Sequence, residues 1–423
     1  MAERHLHLCN PPQVIKNDCL AGRYRLNDVS LLIVDECHRA VGNYAYVFIA
    51  QDYFRQAENP LLLAMTASPP GSNREKVQEI CENLMVGRVE SRTDTDPDVK
   101  PYIHEREISY LSVPLPPKLE QIVKTLNQLL ASRLSMLSGL GYTVPSPEKL
   151  SMRAMNAISA QVQAHIKERE PSGFTGASIH AECMKLRHAI SLAETQGGSE
   201  PLRHYLFKLL AEAADPKASK ASIRLSQDPE FQELAYQAQR WQEELLQKPE
   251  YIVKIVQEQI TAFPDSRIIV FATFRDTVNL IVKKLTDAGI ESHRFVGQST
   301  RDTEKGGLSQ KEQLATLARF REGGAFKVLV STSVGEEGGL DVPSTDLVIF
   351  YETVPSEIRS IQRKGRTGRH GAGNIIVLVT KGTADETYRW ISHSREKSMQ
   401  KGISSLKKVP YSSPYVPAEK NSR

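Results

Sequence analysis

The most informative absence is a phosphate loop: Gly-x-x-x-x-Gly-Lys-[Ser/Thr] occurs nowhere in the 423 residues. Other scarcities narrow the class of protein. No apolar run approaches the roughly 18–20 residues that a membrane-spanning helix requires, and Met1-Ala-Glu-Arg-His5 offers no apolar stretch of the signal-peptide kind. A cytoplasmic protein without membrane contact is expected. The five cysteines (Cys9, Cys19, Cys37, Cys81 and Cys183) have no paired spacing, which argues against a disulfide framework or a zinc site. Net charge is also scarce, at +4 from 54 basic and 50 acidic residues, so a nucleic-acid footprint must come from local arrangement.

What is present divides into regions, and the length suits two or three domains. Residues 1–116 read as alternating strands and helices. Val29–Val34 and Leu61–Met65 are short apolar runs, the style of parallel strands buried on both faces, with helical Tyr44–Arg55 between them. The prolines of Val113-Pro-Leu-Pro-Pro117 mark a boundary. Residues 117–248 follow a 3.6-residue period: Leu119, Ile122, Val123, Leu126, Leu129, Leu130, Leu134 and Leu137 line one face. Asp228-Pro229 is a helix start, and the whole stretch reads as an all-α helical insert. Residues 249–403 return to alternation, with strands expected at Arg267–Phe271, Ser292–Phe295, Lys327–Val330, Asp346–Phe350 and Asn374–Val379. That order implies a right-handed parallel α/β sheet. Residues 404–423 are expected to be a flexible tail.

Two segments carry chemistry. Leu31-Leu-Ile-Val34 ends in Asp35-Glu36-Cys37-His38, two carboxylates at the carboxyl end of a strand, where open parallel sheets bind ligands. An aspartate there suits Mg2+ held through water, and a neighbouring glutamate suits a water attacking a γ-phosphate. Read alone, the same residues are also a strand ending in solvated acids. Gln362-Arg-Lys-Gly-Arg366-Thr-Gly-Arg369 sets arginines three apart, so one helical turn would place Arg366 and Arg369 on the same side. Guanidinium groups match the charge of a transferring phosphoryl group. Read alone, it is also a basic solvated loop.

Taken together, Asp35-Glu36-Cys37-His38, Thr66-Ala67-Ser68, Ile268–Thr277, Thr332–Asp341 and Gln362–Arg369 resemble motifs II to VI of superfamily 2 helicases. Arg39–Tyr46, Phe295–Gln298, Ser333–Glu337 and Ser356–Gln362 resemble, more narrowly, the archaeal Hef helicases and the related Fanconi anaemia group M translocases. The resemblance implies two RecA-like parallel-sheet lobes around the insert, with ATP and Mg2+ as cofactors and branched or forked DNA as partner. It gives Asp35, Glu36, His38, Gln362, Arg366 and Arg369 catalytic roles, with Asp35 on the magnesium. Thr66, Ser68, Gly339 and Asp341 are implied on the nucleotide side. Thr332, Arg275, Gln298 and Gln13 are implied on nucleic acid.

The departures from that pattern shape the expectation. Only 34 residues precede Asp35, so the first lobe is expected to be incomplete and to lack motif I. No Glu-Arg-Lys-type nuclease motif follows residue 403, and Pro70 and Gly338 read as single-residue insertions. The expected function is an ATP-dependent DNA helicase or translocase acting on forks in repair, unable to hydrolyse ATP alone and served by a separate N-terminal motor fragment. The alternatives are a non-hydrolysing DNA- or partner-binding module and an RNA-directed helicase of the innate-sensor type.

Overall fold

A computed structural model describes residues 11–66, 69–70, 73–92, 96–100, 108–147, 150–196, 198–241, 244–297, 309–322, 326–332, 345–353 and 374–387. Among those residues it has two parallel sheets, of two and six strands, and a helical bundle that follows the first strand of the larger sheet.

The first region runs α1 (Pro12–Leu20), β1 (Leu32–Val34), a 3-10 turn (Cys37–Arg39), α2 (Ala45–Gln56), β2 (Leu62–Ala64) and α3 (Arg74–Asn83). β1 and β2 pair in parallel, Ile33 opposite Leu63. One face packs Leu32, Val34, Leu62 and Ala64 against residues of α2 and α3, including Ala50 and Ile80. The other face is apolar and open: Ile33 is 54% exposed and Leu63 47%. Asn73 caps α3, its side-chain oxygen accepting from the Lys76 N–H.

β3 (Ile108–Val113) corrects the expected boundary at residue 116. It lies parallel to β8 (Asn374–Thr380), Ile108 opposite Ile375, and so forms the edge of the six-stranded sheet. The prolines after Val113 stop a strand that already belongs to the second sheet; they do not end a domain. The helical insert is therefore an excursion within the second lobe, leaving after its first strand and returning to the same body.

The insert comprises α4 (Pro117–Gly139), α5 (Met152–Lys167), α6 (Pro171–Ser191), a π turn (Leu192–Gln196), α7 (Ser199–Ala213), α8 (Lys220–Gln227) and α9 (Pro229–Gln239). The predicted stripe of α4 from Leu119 to Leu137 is buried throughout. Asp228 caps α9, Oδ1 accepting from the N–H groups of Glu230 and Phe231, with Pro229 at the first helical position. Asp228 Oδ2 also accepts from Arg133 (2.7 Å), whose Nε donates to buried Glu182 (2.9 Å), so one guanidinium joins α4, α6 and α9.

α10 (Lys248–Ala262), β4 (Ile268–Ala272), α11 (Arg275–Asp287), β5 (Ser292–Phe295), α12 (Gln310–Glu322), β6 (Val328–Thr332), β7 (Leu347–Phe350) and β8 complete the second lobe. The sheet order is β3-β8-β7-β4-β6-β5 and every pairing is parallel. β4 is buried at every position, Ile268 and Val270 entering one core, Ile269 and Phe271 the other. Two covered faces explain its continuous apolar run. The architecture is two parallel α/β lobes with an all-α insert, as expected. No helix among the described residues is long and apolar enough to cross a membrane.

Candidate active site

Parallel strands present their carboxyl ends together, and that is where the acidic motif falls. Backbone bonds carry the pairing of β1 and β2 past their ends: the Met65 N–H donates to Val34 O (2.8 Å) and the Cys37 N–H to Met65 O (2.9 Å). Asp35-Glu36 and Thr66 are thereby fixed beside one another. Glu36 adopts a left-handed backbone (φ 51°, ψ 45°), a conformation that costs a non-glycine residue free energy and that the surrounding bonds must hold.

The result is a tight constellation. His38 Nδ1 lies 2.8 Å from Thr66 Oγ1 and 3.2 Å from Glu36 Oε2. The Thr66 hydroxyl is also 3.5 Å from Glu36 Oε2. All three residues are half-buried, so His38 bridges two motifs instead of filling a core. Asp35 is exposed, and its Oδ1 accepts from the Glu36 N–H (2.8 Å). That bond orients the carboxylate while its other oxygen stays available. Such a donor fits Mg2+ held largely by phosphates and water, the habit of this hard cation. Among the described residues no three His, Cys, Asp or Glu side chains form a cage of their own. Cys37 is buried against the lobe, and burial pushes its thiol up to about 11, leaving an inert packing residue.

The second sheet brings further predicted residues to its own carboxyl edge. Thr332 ends β6 beside Ala272. Arg275 opens α11 and its guanidinium donates to Gly297 O (2.8 Å), bracing the turn after β5. Gln13 is exposed on α1, donating to Asn17. Ser68, Gln298, Gly339, Asp341, Gln362, Arg366 and Arg369 lie outside the described residues.

Three polar residues at the same edge escaped the sequence reading: Glu352, Lys248 and Asp385, all buried. Glu352 Oε1 accepts from the Thr273 N–H (2.9 Å), and burial pushes its carboxyl up to about 8. Its signal was the one that exposed Asp35, an apolar run ending in an acid, here Leu347–Tyr351 followed by Glu352.

A parallel sheet with acids at its carboxyl end, a second parallel sheet and a helical bundle inserted after the first strand of that second sheet form the architecture of the helicase class. Comparison with known proteins makes this particular. The helicase conserved C-terminal domain matches residues 247–371, and an RNA helicase helical-bundle model matches residues 118–244. The crystal structure of the Pyrococcus furiosus Hef helicase domain is similar with TM-score 0.64 and 43% identity, over 90% of this chain and 77% of that one. A Methanocaldococcus jannaschii protein named as an ATP-dependent RNA helicase is 37% identical over 93% of this chain and 48% of its own length. The ATP-dependent DNA helicase mph1 of Neurospora crassa is 33% identical over 89% of this chain and 33% of its own. The chain thus spans about half the length, or less, of the curated relatives it matches. The chain belongs to the Hef and Fanconi anaemia group M family of superfamily 2 helicases.

Proposed function

We propose that the chain supplies the acidic motif, the helical insert and the second lobe of an ATP-dependent DNA translocase that works on branched or forked DNA in repair. The observation that carries this reading is the Glu36–His38–Thr66 constellation at the carboxyl ends of β1 and β2. Asp35 takes Mg2+ through water, and Glu36 orients and polarises the water that attacks the γ-phosphate. His38 and Thr66 pass changes at Glu36 to the next loop through the 2.8 Å contact. Gln362, Arg366 and Arg369 face the γ-phosphate, with Ser68, Gly339 and Asp341 on the nucleotide. Thr332, Arg275, Gln298 and Gln13 lie along DNA phosphates.

The phosphate loop comes from outside these 423 residues. The open apolar face of the small sheet, with Ile33, Leu61, Leu63 and Met65 exposed, is the surface on which a loop-bearing α/β segment completes the lobe. Parallel sheets persist where both faces are covered, which is why a segment of that architecture fits.

The test is to supply the corresponding Hef segment, fused or in trans. DNA-stimulated turnover should appear, and Glu36→Gln should abolish it while sparing ATP binding, since the amide keeps the shape and loses the charge. Unchanged turnover in Glu36→Gln overturns the assignment. The RNA-helicase names of the bundle model and the archaeal relative favour one second reading, an RNA-directed motor. Forked DNA and duplex RNA, compared as activators of the completed chain, decide between them.

A further inference from the structure

The carboxyl edge of the larger sheet holds a buried polar cluster that the nucleotide chemistry leaves unused. Lys248 opens α10 and is 0% exposed. Its Nζ donates to Thr195 O (3.1 Å), Tyr351 O (2.8 Å) and Asp385 Oδ2 (2.7 Å), which uses all three of its hydrogens. Asp385 Oδ2 accepts a second bond from the Thr380 N–H (3.0 Å), and Oδ1 accepts from the Thr353 N–H (3.3 Å). Glu352 is buried beside them, and burial pushes its carboxyl up to about 8. Lys248 and Asp385 form the ion pair of the cluster.

Three separate segments meet at that ammonium. Thr195 belongs to the π turn that ends α6 of the insert. Tyr351 to Thr353 is the exit of β7 and leads directly into residues 354–369, which carry Gln362, Arg366 and Arg369. Asp385 follows β8. Taking an ammonium and a carboxylate out of water costs several kcal/mol per ion, and apolar side chains of the same volume often hold a core as well or better. What a lysine with three fixed acceptors adds is geometry: the insert and the β7 exit cannot shift separately without breaking a buried bond. The hydroxyls of Thr353 and Thr380, on either side of Asp385, are buried without a partner, so this exit is also the least satisfied part of the cluster.

We infer that Lys248 is a positioning residue that couples the helical insert to the arginine-bearing segment after β7, so that displacement of the insert is felt at the nucleotide site. The inference rests on the motor reading for its consequence, while the coupling itself is a property of the chain.

Hydrogen exchange on the whole chain separates the two. Lys248→Met with Asp385→Asn removes both charges without stranding either. Peptides covering 192–196 and 346–353 should then both exchange at least tenfold faster, with α4 and β4 unchanged. If that variant does not fold, exchange of the unaltered chain in increasing denaturant decides, with both peptides expected to open together. A change in one peptide only, or in neither, overturns the coupling. In the completed motor the double variant should lower kcat at least tenfold and leave the KM for ATP and the DNA affinity unchanged. An unaltered kcat means that Lys248 is a structural brace, and the inference fails. If the completed wild-type motor shows no turnover, the motor reading fails instead, and the exchange result alone decides the coupling.

Discussion

The two sheets are built from similar sequence and reach different states. β1 reads Leu-Ile-Val and β4 reads Ile-Ile-Val-Phe-Ala, yet Ile33 is half exposed and Ile269 is fully buried. In the larger sheet, alternate residues of β4 enter two cores, one shared with the helical insert and one under α12. In the smaller sheet, alternate residues enter one core and one open face. An apolar run thus specifies a strand and its appetite for burial, while the neighbours decide how much of that appetite is met. Burial of apolar area contributes roughly 25 cal/mol per Å2, so the open face is where added structure gains most.

This difference is measurable. The largest effect is expected at the covered strand: Ile269→Ala should cost about 2–5 kcal/mol in a denaturant titration, from lost transfer energy and the cavity left behind. Ile33→Thr should change stability by no more than about 0.5 kcal/mol in the chain as it stands. Comparable losses at both positions would mean that the small sheet is covered in solution.

A pH series sharpens the contrast next, because the larger sheet buries a titrating acid. The folded Glu352 carboxyl titrates at about 8 against its ordinary 4.5, so between those values the folded chain binds more protons than the unfolded one. Its contribution is fully present below about pH 4.5 and is lost as pH rises through 8. Glu352→Gln should therefore raise the melting temperature more at pH 8.5 than at pH 5. An equal effect at both values contradicts the buried, protonated carboxyl.

A modest effect is expected at the half-buried motif of the first lobe. Thr66→Val removes the contact with His38 and should cost about 0.5–1.5 kcal/mol, the ordinary net worth of one hydrogen bond. Binding of duplex DNA to the second lobe and insert offers a gentler check. Log-affinity should fall by about 0.9 per unit of log[salt] for each phosphate neutralised. Salt-independent binding would argue against phosphate contacts at Thr332 and Arg275.

Much of this was legible beforehand, for identifiable reasons. Seven strands were expected, two as short apolar runs and five from the alternation of strand and helix, and Ser292–Phe295 matches its expected bounds to the residue. Asp228-Pro229 started a helix because both its side-chain cap and its fixed φ suit that position. β3 was missed since Ile108–Val113 is an edge strand of mixed burial, shorter on apolar signal than its neighbours and followed at once by prolines. At the site, residue types and a strand end pointed to Asp35 and Glu36, and the family resemblance pointed to His38 and Thr66. The link through His38 was not legible, because it depends on the left-handed backbone of Glu36, which the residue's type does not announce. Lys248 and Asp385 were invisible for a further reason. They stand 137 positions apart, and only the sheet topology brings them together.

The most direct test of the account is ATP turnover by the 423-residue chain at saturating forked DNA, beside the same chain completed with the Hef phosphate-loop segment. In the proposed reading the Glu36–His38–Thr66 constellation serves hydrolysis, and the loop that would cradle the phosphates is not in the sequence. Electrostatic stabilisers of phosphoryl transfer contribute on the order of 10³–10⁵ in rate. Turnover by the chain alone is therefore predicted to lie at least about 10³-fold below that of the completed motor. Turnover by the chain alone within the ~1–100 s⁻¹ typical of phosphoryl-transfer enzymes would contradict the account, since another group would then hold the phosphates.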